Sequence, residues 1–281
     1  MVRLVRALTA PSPDQIVWDP GLGRIDASAL EGLDAVIHLA GETIAGRWTA
    51  AKKARIRESR VLGTRAIAGV LAALGRKPGV LVCASATGYY GDRGEEILVE
   101  DSQPGSGFLA EVVRAWEAAT APARDAGIRV VHLRSGVVLS PNGGALGGLL
   151  PVFRLGLGGR LGSGRQFMPW ITLDDEVGAI VHALTRDDLR GPVNFVSPHA
   201  VMNREFTATL GRALRRPALC AVPAPMLRLA LGELGGELLA SQRVHPARLL
   251  NSGYAFRYPE LETALHHLLQ SSRAPAPGGP V

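Results

Sequence analysis

Apolar positions along the chain recur with two periods. Short runs of strand character at Val2–Val5, Gln15–Trp18, Asp34–Leu39, Val80–Ser85, Arg129–Leu133 and Val193–Val196 are separated by stretches whose apolar residues return every three or four positions. Trp48–Leu74 is the longest of these, with Ile56, Gly63, Ile67, Val70, Leu71 and Leu74 on one face. Phe108–Ala126 carries Leu109, Val112, Val113, Trp116 and Ala119 at helical spacing, and Gly127 ends it. Further helices are predicted over Gly144–Arg154, Asp174–Leu184 and Asn203–Arg215, the last with Asn203 as its N-cap. Past Pro223 the pattern is helical to Leu269 with a break near Gly253. Repeated strand–helix–strand units predict an α/β fold with a doubly wound parallel sheet and helices on both faces.

The stretch VLVCASATGYYG, Val80–Gly91, organises the chain. Val80–Cys83 is an uninterrupted apolar run, the pattern of a strand covered on both faces, and it breaks into small and hydroxylated residues before Gly88. Ligands of open α/β sheets bind outside the carboxyl ends of the strands, so Ser85, Thr87, Tyr89 and Tyr90 mark a candidate site.

Composition narrows the class without identifying a partner. The 281 residues, 47% hydrophobic and 20% charged, can bury a full core, and no stretch approaches the ~20 consecutive apolar residues of a membrane span. The N-terminus, MVRLVRALTAPSPDQ, is interrupted by Arg3 and Arg6 and does not read as a secretory signal, which predicts a cytoplasmic protein without a membrane partner. Net charge is +6, but the basic residues are interleaved with acids, so no nucleic-acid partner is expected. Cys83 and Cys220 lack metal-ligand spacing and are expected to be buried thiols; no metal is predicted.

DAVIHLAGE, SATGYYG, RSGVVLS and MPWITLDDEVGAIVHAL stand in the order and approximate spacing of the extended short-chain dehydrogenase/reductases. GETIAGRWT, FRLGLGGRLGSGRQFMPWI and HPARLLNSGYAFRYPELETAL further resemble an atypical, epimerase-like subfamily known as nucleoside-diphosphate-sugar epimerases, over Arg6 to about Leu269. The resemblance implies a Rossmann-type domain over residues 1–222 that binds NAD(P), a family-specific helical region over 223–270, and a disordered tail over 271–281. It also implies an NAD(P)-dependent oxidoreductase or epimerase-like activity on a small molecule; the alternative is a dinucleotide-binding sensor or scaffold without turnover.

Two departures qualify that expectation. The family begins with a strand, a G-x-x-G-x-x-G turn and a helix, whereas this chain starts at the second strand, so domain 1–222 reads as truncated at its N-terminus relative to the family. Either a preceding segment supplies the unit or the product is impaired, and the first is the expectation. Loss of the first strand would open a gap in the 3-2-1-4-5-6 sheet order and remove the phosphate cradle. Second, the superfamily's Tyr-x-x-x-Lys is absent: Phe108 or Leu109, followed by Val112 or Val113, stand in its place, and none of Lys52, Lys53 and Lys77 lies four residues after a tyrosine.

Candidate residues follow from strand ends and from the resemblance together. Ser85 falls where the superfamily's catalytic serine sits, or else satisfies strand-end backbone groups. Tyr89, with Arg93 four residues on, is the second catalytic candidate, against a role for Tyr89 and Tyr90 as pocket wall. Leu39, Ala40 and Gly41, with Ser85, Ala86 and Thr87, are the expected cofactor contacts, since small residues let backbone approach a dinucleotide. Arg6 is placed to meet the 2′-phosphate, which favours NADP with NAD possible. Phe167 and Trp170 are expected to shape a pocket. Asp174 and Asp175 are assigned to a helix start, His38 and His132 to structural roles, and Lys52 and Lys53 to a solvated helix face.

Overall fold

The computed structural model describes residues 1–5, 14–19 and 24–271. Arg6 and residues 272–281, the bulk of the expected tail, lie outside the described residues. The first half contains β1 (Arg3–Val5), β2 (Gln15–Asp19), β3 (Arg24–Ile25), β4 (Ala35–His38), α1 (Ala50–Ala73), β5 (Val80–Ala86), β6 (Ile97–Leu98), α2 (Phe108–Ala118), α3 (Ala121–Asp125) and β7 (Arg129–Ser135). There follow β8 (Val137–Leu139), α4 (Gly144–Arg154), β9 (Phe167–Met168), β10 (Trp170–Thr172), α5 (Leu173–Thr185), β11 (Gly191–Phe195), β12 (Val201–Met202) and α6 (Asn203–Leu214). The C-terminal part holds α7 (Ala224–Leu231), α8 (Glu233–Glu237), β13 (Arg243–Val244), α9 (Ala247–Asn251) and α10 (Leu261–Ser271).

Four parallel strands in the order β11-β7-β5-β4 form the central sheet. β5 is continuously apolar because both of its faces are covered: Leu81 and Cys83 pack with Ile67, Leu71 and Ala123 of α1 and α3, while Val80 and Val82 pack with Ala179 and Ala183 of α5. This is the α/β doubly wound architecture of Rossmann-type proteins. β1, β2 and β3 make a separate three-stranded sheet, and among the described residues β4 pairs only with β5. Val17, Ile37 and Leu39 stand exposed on the strands and strand end that flank this break. No described helix is long and apolar enough to cross a membrane.

Several elements differ from the periodicity. The helix expected over Phe108–Ala126 divides into α2 and α3, because Pro122 has no N–H to continue the ladder to Ala118. The helical pattern past Pro223 is interrupted where Arg243–Val244 pairs in parallel with Ile97–Leu98, a long-range contact that local spacing does not encode. Asn203 is the first residue of α6 rather than its cap; its Oδ1 accepts the Leu161 N–H at 2.8 Å and pins the glycine-rich loop. That loop needs Gly159, since a Cβ there would overlap the Cys220 carbonyl oxygen. Cys220 is exposed, not buried, as its backbone rather than its thiol makes the contact. Trp170 is buried with Leu139, Leu146 and Phe206 and shapes core, not pocket. Lys52 is part-buried against Glu42 at 2.7 Å rather than solvated.

The C-terminal stretch is tied to the sheet through the first turn of α5. Thr172 caps that helix by accepting the Asp175 N–H at 3.1 Å, and the buried Asp175 carboxylate accepts the N–H groups of Arg257 at 2.7 Å and Tyr258 at 3.0 Å. Asp175→Ala removes the acceptor of both part-buried N–H groups, which should lower unfolding free energy by about 2 kcal/mol. Urea denaturation checks this, and a change below about 0.5 kcal/mol would show that the Asp175 carboxylate does not hold the C-terminal stretch in place.

Candidate functional site

A cleft of about 290 Å³ opens at the carboxyl ends of β5 and β7. Ala86, Thr87 and Gly88 leave β5 on one side, and Ser135, Gly136 and Val137 leave β7 beside them, with Ala86 and Ser135 in direct register. Leu109, Val112, Val113 and Trp116 of α2 form one wall; Phe167, Met168, Leu234 and Leu238 are among the apolar residues of the rest. Gly136 is required at the turn from β7 to β8, because a Cβ there would lie 2.6 Å from the Pro169 carbonyl oxygen. Two wider grooves, of about 750 and 710 Å³, run beside Arg190–Pro192 and along α5, away from those strand ends. The smaller cleft is the candidate because it lies where open α/β sheets bind ligands.

Behind the cleft lies a closed polar cluster. Arg134 of β7 forks onto Glu117 of α2, with Nε donating to Oε1 at 2.8 Å and Nη2 to Oε2 at 2.9 Å. Ser85 Oγ donates to the same Oε1 at 2.7 Å. Arg134 Nη1 donates to the Tyr90 hydroxyl at 3.1 Å, and Tyr90 donates to Asn194 Oδ1 at 2.7 Å. The guanidinium also lies 3.5 Å from the Tyr89 ring centroid. Burial acts to raise the Glu117 pKa, but the hydrogen bonds and charge of Arg134 outweigh it and hold the carboxyl below its ordinary range. Burial pushes Tyr90 up to about 12.

A second carboxyl, Glu176 in the first turn of α5, has the opposite environment. Ser135 Oγ donates to its Oε1 at 2.6 Å, while Oε2 is buried without a partner among the described residues. With one hydroxyl in place of a guanidinium, burial dominates and lifts its pKa from 4.5 to about 7.

The structure brings part of the expected set together. Ala86 and Thr87 line the cleft; Leu39, Ala40 and Gly41 follow β4, and Arg60 packs against Gly41, within 3.4 Å of where its Cβ would be. Ser85 and Tyr89 belong to the Arg134 cluster and are absent from the cleft lining. Tyr90 is fully buried rather than pocket wall, and Arg93 forks onto Glu96 at 2.9 and 2.7 Å, so the guanidinium on Tyr89 is that of Arg134. Sequence reasoning missed Arg60, Glu117, Arg134, Ser135 and Glu176. A signal existed for Arg134, since an arginine within the apolar strand RVVHLRS requires a buried acceptor. His38 bonds Thr64 at 3.1 Å as a structural histidine should, whereas His132 bonds Thr120 at 2.9 Å through Nε2 and leaves Nδ1 buried without a partner among the described residues.

With this site at the sheet's carboxyl edge, the chain belongs to the NAD dependent epimerase/dehydratase family, whose profile matches residues 24–196. A domain of unknown function, DUF1731, matches residues 222–268. Among individual proteins, an epimerase family protein of Mycobacterium bovis is 43% identical over 94% of this chain and 88% of its own length. The human epimerase family protein SDR39U1 is 38% identical over 92% of this chain and 88% of its own. A crystal structure of human SDR39U1 (isoform2) with NADPH superposes with a TM-score of 0.88 at 36% identity, covering 96% of this chain and 90% of that one.

Glu176 yields a test with a defined sign. Its folded pKa lies above the unfolded value, so its contribution to stability is fully present below about 4.5 and lost as pH rises through about 7. Glu176→Gln has no such loss, and should gain about 2 to 3 kcal/mol on the wild type between pH 5 and pH 8. Denaturant unfolding at the two pH values measures it; a pH-independent difference would show that the folded protein does not hold Glu176 neutral.

Proposed function

We propose that the chain is an NADP-dependent oxidoreductase or epimerase-like enzyme that interconverts an alcohol and a carbonyl on a small molecule in this cleft, without a Tyr-Lys pair. The observation that carries it is the juxtaposition of two hydroxyls, Thr87 and Ser135, at neighbouring strand ends, one of them joined to a carboxyl whose pKa is near neutrality. Family membership supports a dinucleotide cofactor, and the NADPH of the human relative's structure supports NADP, with NAD the second possibility.

The residues fit such a group at its nicotinamide end. Ala40, Gly41, Ala86, Gly88 and Gly136 are small and end neighbouring strands, so backbone is accessible there. Leu39, Ala40, Gly41, Ser85, Ala86 and Thr87 would hold the cofactor, with Arg6 assigned to the 2′-phosphate. When bound, the cofactor supplies or accepts the hydride. Ser135 would exchange a proton with the substrate oxygen and Glu176 would replenish it, a role suited to a group that titrates near operating pH. Ser85 and Tyr89 are the competing donors. Ser85 has its proton committed to Glu117, which is held ionised and is therefore a poor source for replacing it.

A second reading, a dinucleotide-binding sensor, is favoured by one feature: α2 presents Leu109, Val112 and Val113 to the cleft where the superfamily presents its proton relay. Partners in either case are small molecules, not nucleic acid or membrane, and the assigned compartment is the cytoplasm.

NADPH fluorescence titration is the first test, and absence of saturable binding would defeat both readings. NADPH oxidation against a panel of aldehydes and ketones then separates them, since binding without turnover marks the sensor. On any compound that turns over, Ser135→Ala and Glu176→Gln should each lower kcat by roughly 10²-fold or more with NADPH affinity retained. Ser85→Ala and Tyr89→Phe should cost under about tenfold, and the reverse ranking would return the proton to that pair. Arg6→Ala should weaken NADPH more than NADH in calorimetric titration; equal losses would remove Arg6 from the 2′-phosphate.

A further inference from the structure

Arg60 of α1 lines the cleft, and its surroundings are unusual for a cation. Its Nη1 donates to two backbone carbonyls, Glu42 O at 2.9 Å and Ile56 O at 3.2 Å, and the guanidinium lies 5.0 Å from the Trp116 ring centroid. Among the described residues Nε and Nη2 make no hydrogen bond, and no carboxylate lies within 4 Å of the group. The nearby Glu42 carboxylate instead takes Lys52 at 2.7 Å and Arg55 at 3.8 Å. Burial lowers the pKa of Arg60, but a guanidinium stays protonated.

The unoccupied edge has a specific shape. Nε and Nη2 present two parallel N–H groups, the fork that matches a carboxylate. Arg134 in this same chain uses that edge on Glu117, at 2.8 and 2.9 Å. The cleft lining is mostly apolar, with Ile44, Leu109, Val112, Val113 and Phe167 among its side chains, and Thr87, Ser135, Glu237 and Gln242 are its other polar members. Glu237, the acidic side chain of the lining, makes no ion pair with Arg60 among the described residues, and burial with the nearby Glu233 and Asp92 charges raises its pKa. At about 290 Å³ the space is at the small end for ligand sites, and sugar hydroxyls placed against the Leu109, Val112 and Val113 wall would lose their hydrogen bonds to water without replacement.

We propose that the cleft binds a small carboxylate with an apolar body, its carboxylate held side-on by Arg60 Nε and Nη2, rather than a nucleotide sugar. This rests on the proposed activity for its carbonyl or alcohol, though the binding itself needs no cofactor. The charged end seats on α1 and the apolar body fills the wall of α2. The reacting carbon is then directed to the strand ends that carry Thr87 and Ser135.

The test compares 4-phenylbutyrate with 4-phenylbutan-1-ol by calorimetry on the full chain without nucleotide. The acid should bind roughly tenfold or more tightly than the alcohol. Arg60→Met should abolish that preference and Arg60→Lys reduce it, with affinity for the alcohol kept in both. Equal affinity for acid and alcohol in the wild type would overturn the proposal. So would a preference that survives Arg60→Met, displacement of 4-phenylbutyrate by UDP-glucose, or a loss in Arg60→Met confined to NADPH, which would assign the group to the cofactor. Should Arg60→Met fail to fold, judged by its melt, Arg60→Lys and the wild-type comparison decide. Failure of NADPH to bind removes the proposed activity and leaves the acid preference standing; loss of the preference with NADPH binding intact does the reverse.

Discussion

The fork between Arg134 and Glu117 fixes the end of the sheet on which the site is built. An arginine 2% exposed, near the carboxyl end of a central strand, is tolerable only with a carboxylate and hydrogen bonds on its remaining N–H groups. Glu117 provides the first from α2, and Tyr90 and the Glu100 carbonyl provide the second from the segment after β5. Tyr90 passes the constraint to Asn194 of β11, and Ser85 passes it to β5. Three adjacent strands and one helix thereby meet at a single charge pair. The turn that carries Thr87 and the strand end that carries Ser135 are held by neighbours that have little freedom to move.

Glu117 and Glu176 show how partner chemistry, rather than depth, decides ionisation. Both are largely buried and both accept a serine hydroxyl, at 2.7 and 2.6 Å. Glu117 also has a guanidinium and is held ionised; Glu176 does not and rises to about 7. Even the amino-terminal turn of α5, which favours negative charge, does not compensate for the missing cation. One carboxyl is consequently held below its ordinary pKa by a fixed partner charge and the other is raised toward neutrality by burial. The two serines, Ser85 and Ser135, sit near the ends of paired strands, yet Ser85 bonds the carboxyl held below its ordinary range and Ser135 the one raised above it.

The strands and long helices were legible in the sequence because burial on both faces of a parallel sheet leaves an uninterrupted apolar signature, as in Val80–Cys83, and a covered helix leaves one at helical spacing, as in Ile56, Ile67 and Leu71. Gly144–Arg154 was legible for the same reason. Illegible were features made by partners distant in sequence. Arg243–Val244 is a strand only because Ile97–Leu98 lies beside it, and Asn203 serves Leu161 rather than its own helix. The site divides along the same line. Ala86 and Thr87 could be placed from the strand-end rule alone, whereas Arg60, Glu117 and Glu176 stand on helices, where a charged residue usually marks the solvated face. Their inward orientation depends on Trp116, Arg134 and Ser135, which periodicity does not pair with them.

The cleft joins two parts of the chain that match different families, and the joint is polar and specific. Leu234, Glu237, Leu238 and Gln242 in its lining come from the stretch matching DUF1731, while Thr87, Ser135 and α2 come from the epimerase-family stretch. Ser241 binds them together: its N–H donates to Asp92 Oδ1 at 3.0 Å, its hydroxyl to the Gly94 carbonyl at 2.5 Å, and its carbonyl accepts the Arg93 N–H at 2.9 Å. The Gln242 N–H donates to the Phe167 carbonyl at 3.1 Å, which draws the β9 segment to the same place. Thr87 and Ser135 therefore sit at the carboxyl ends of sheet strands, and much of the wall facing them belongs to the C-terminal stretch. A change of that stretch would alter the shape of the cleft and leave the strand-end hydroxyls where they are.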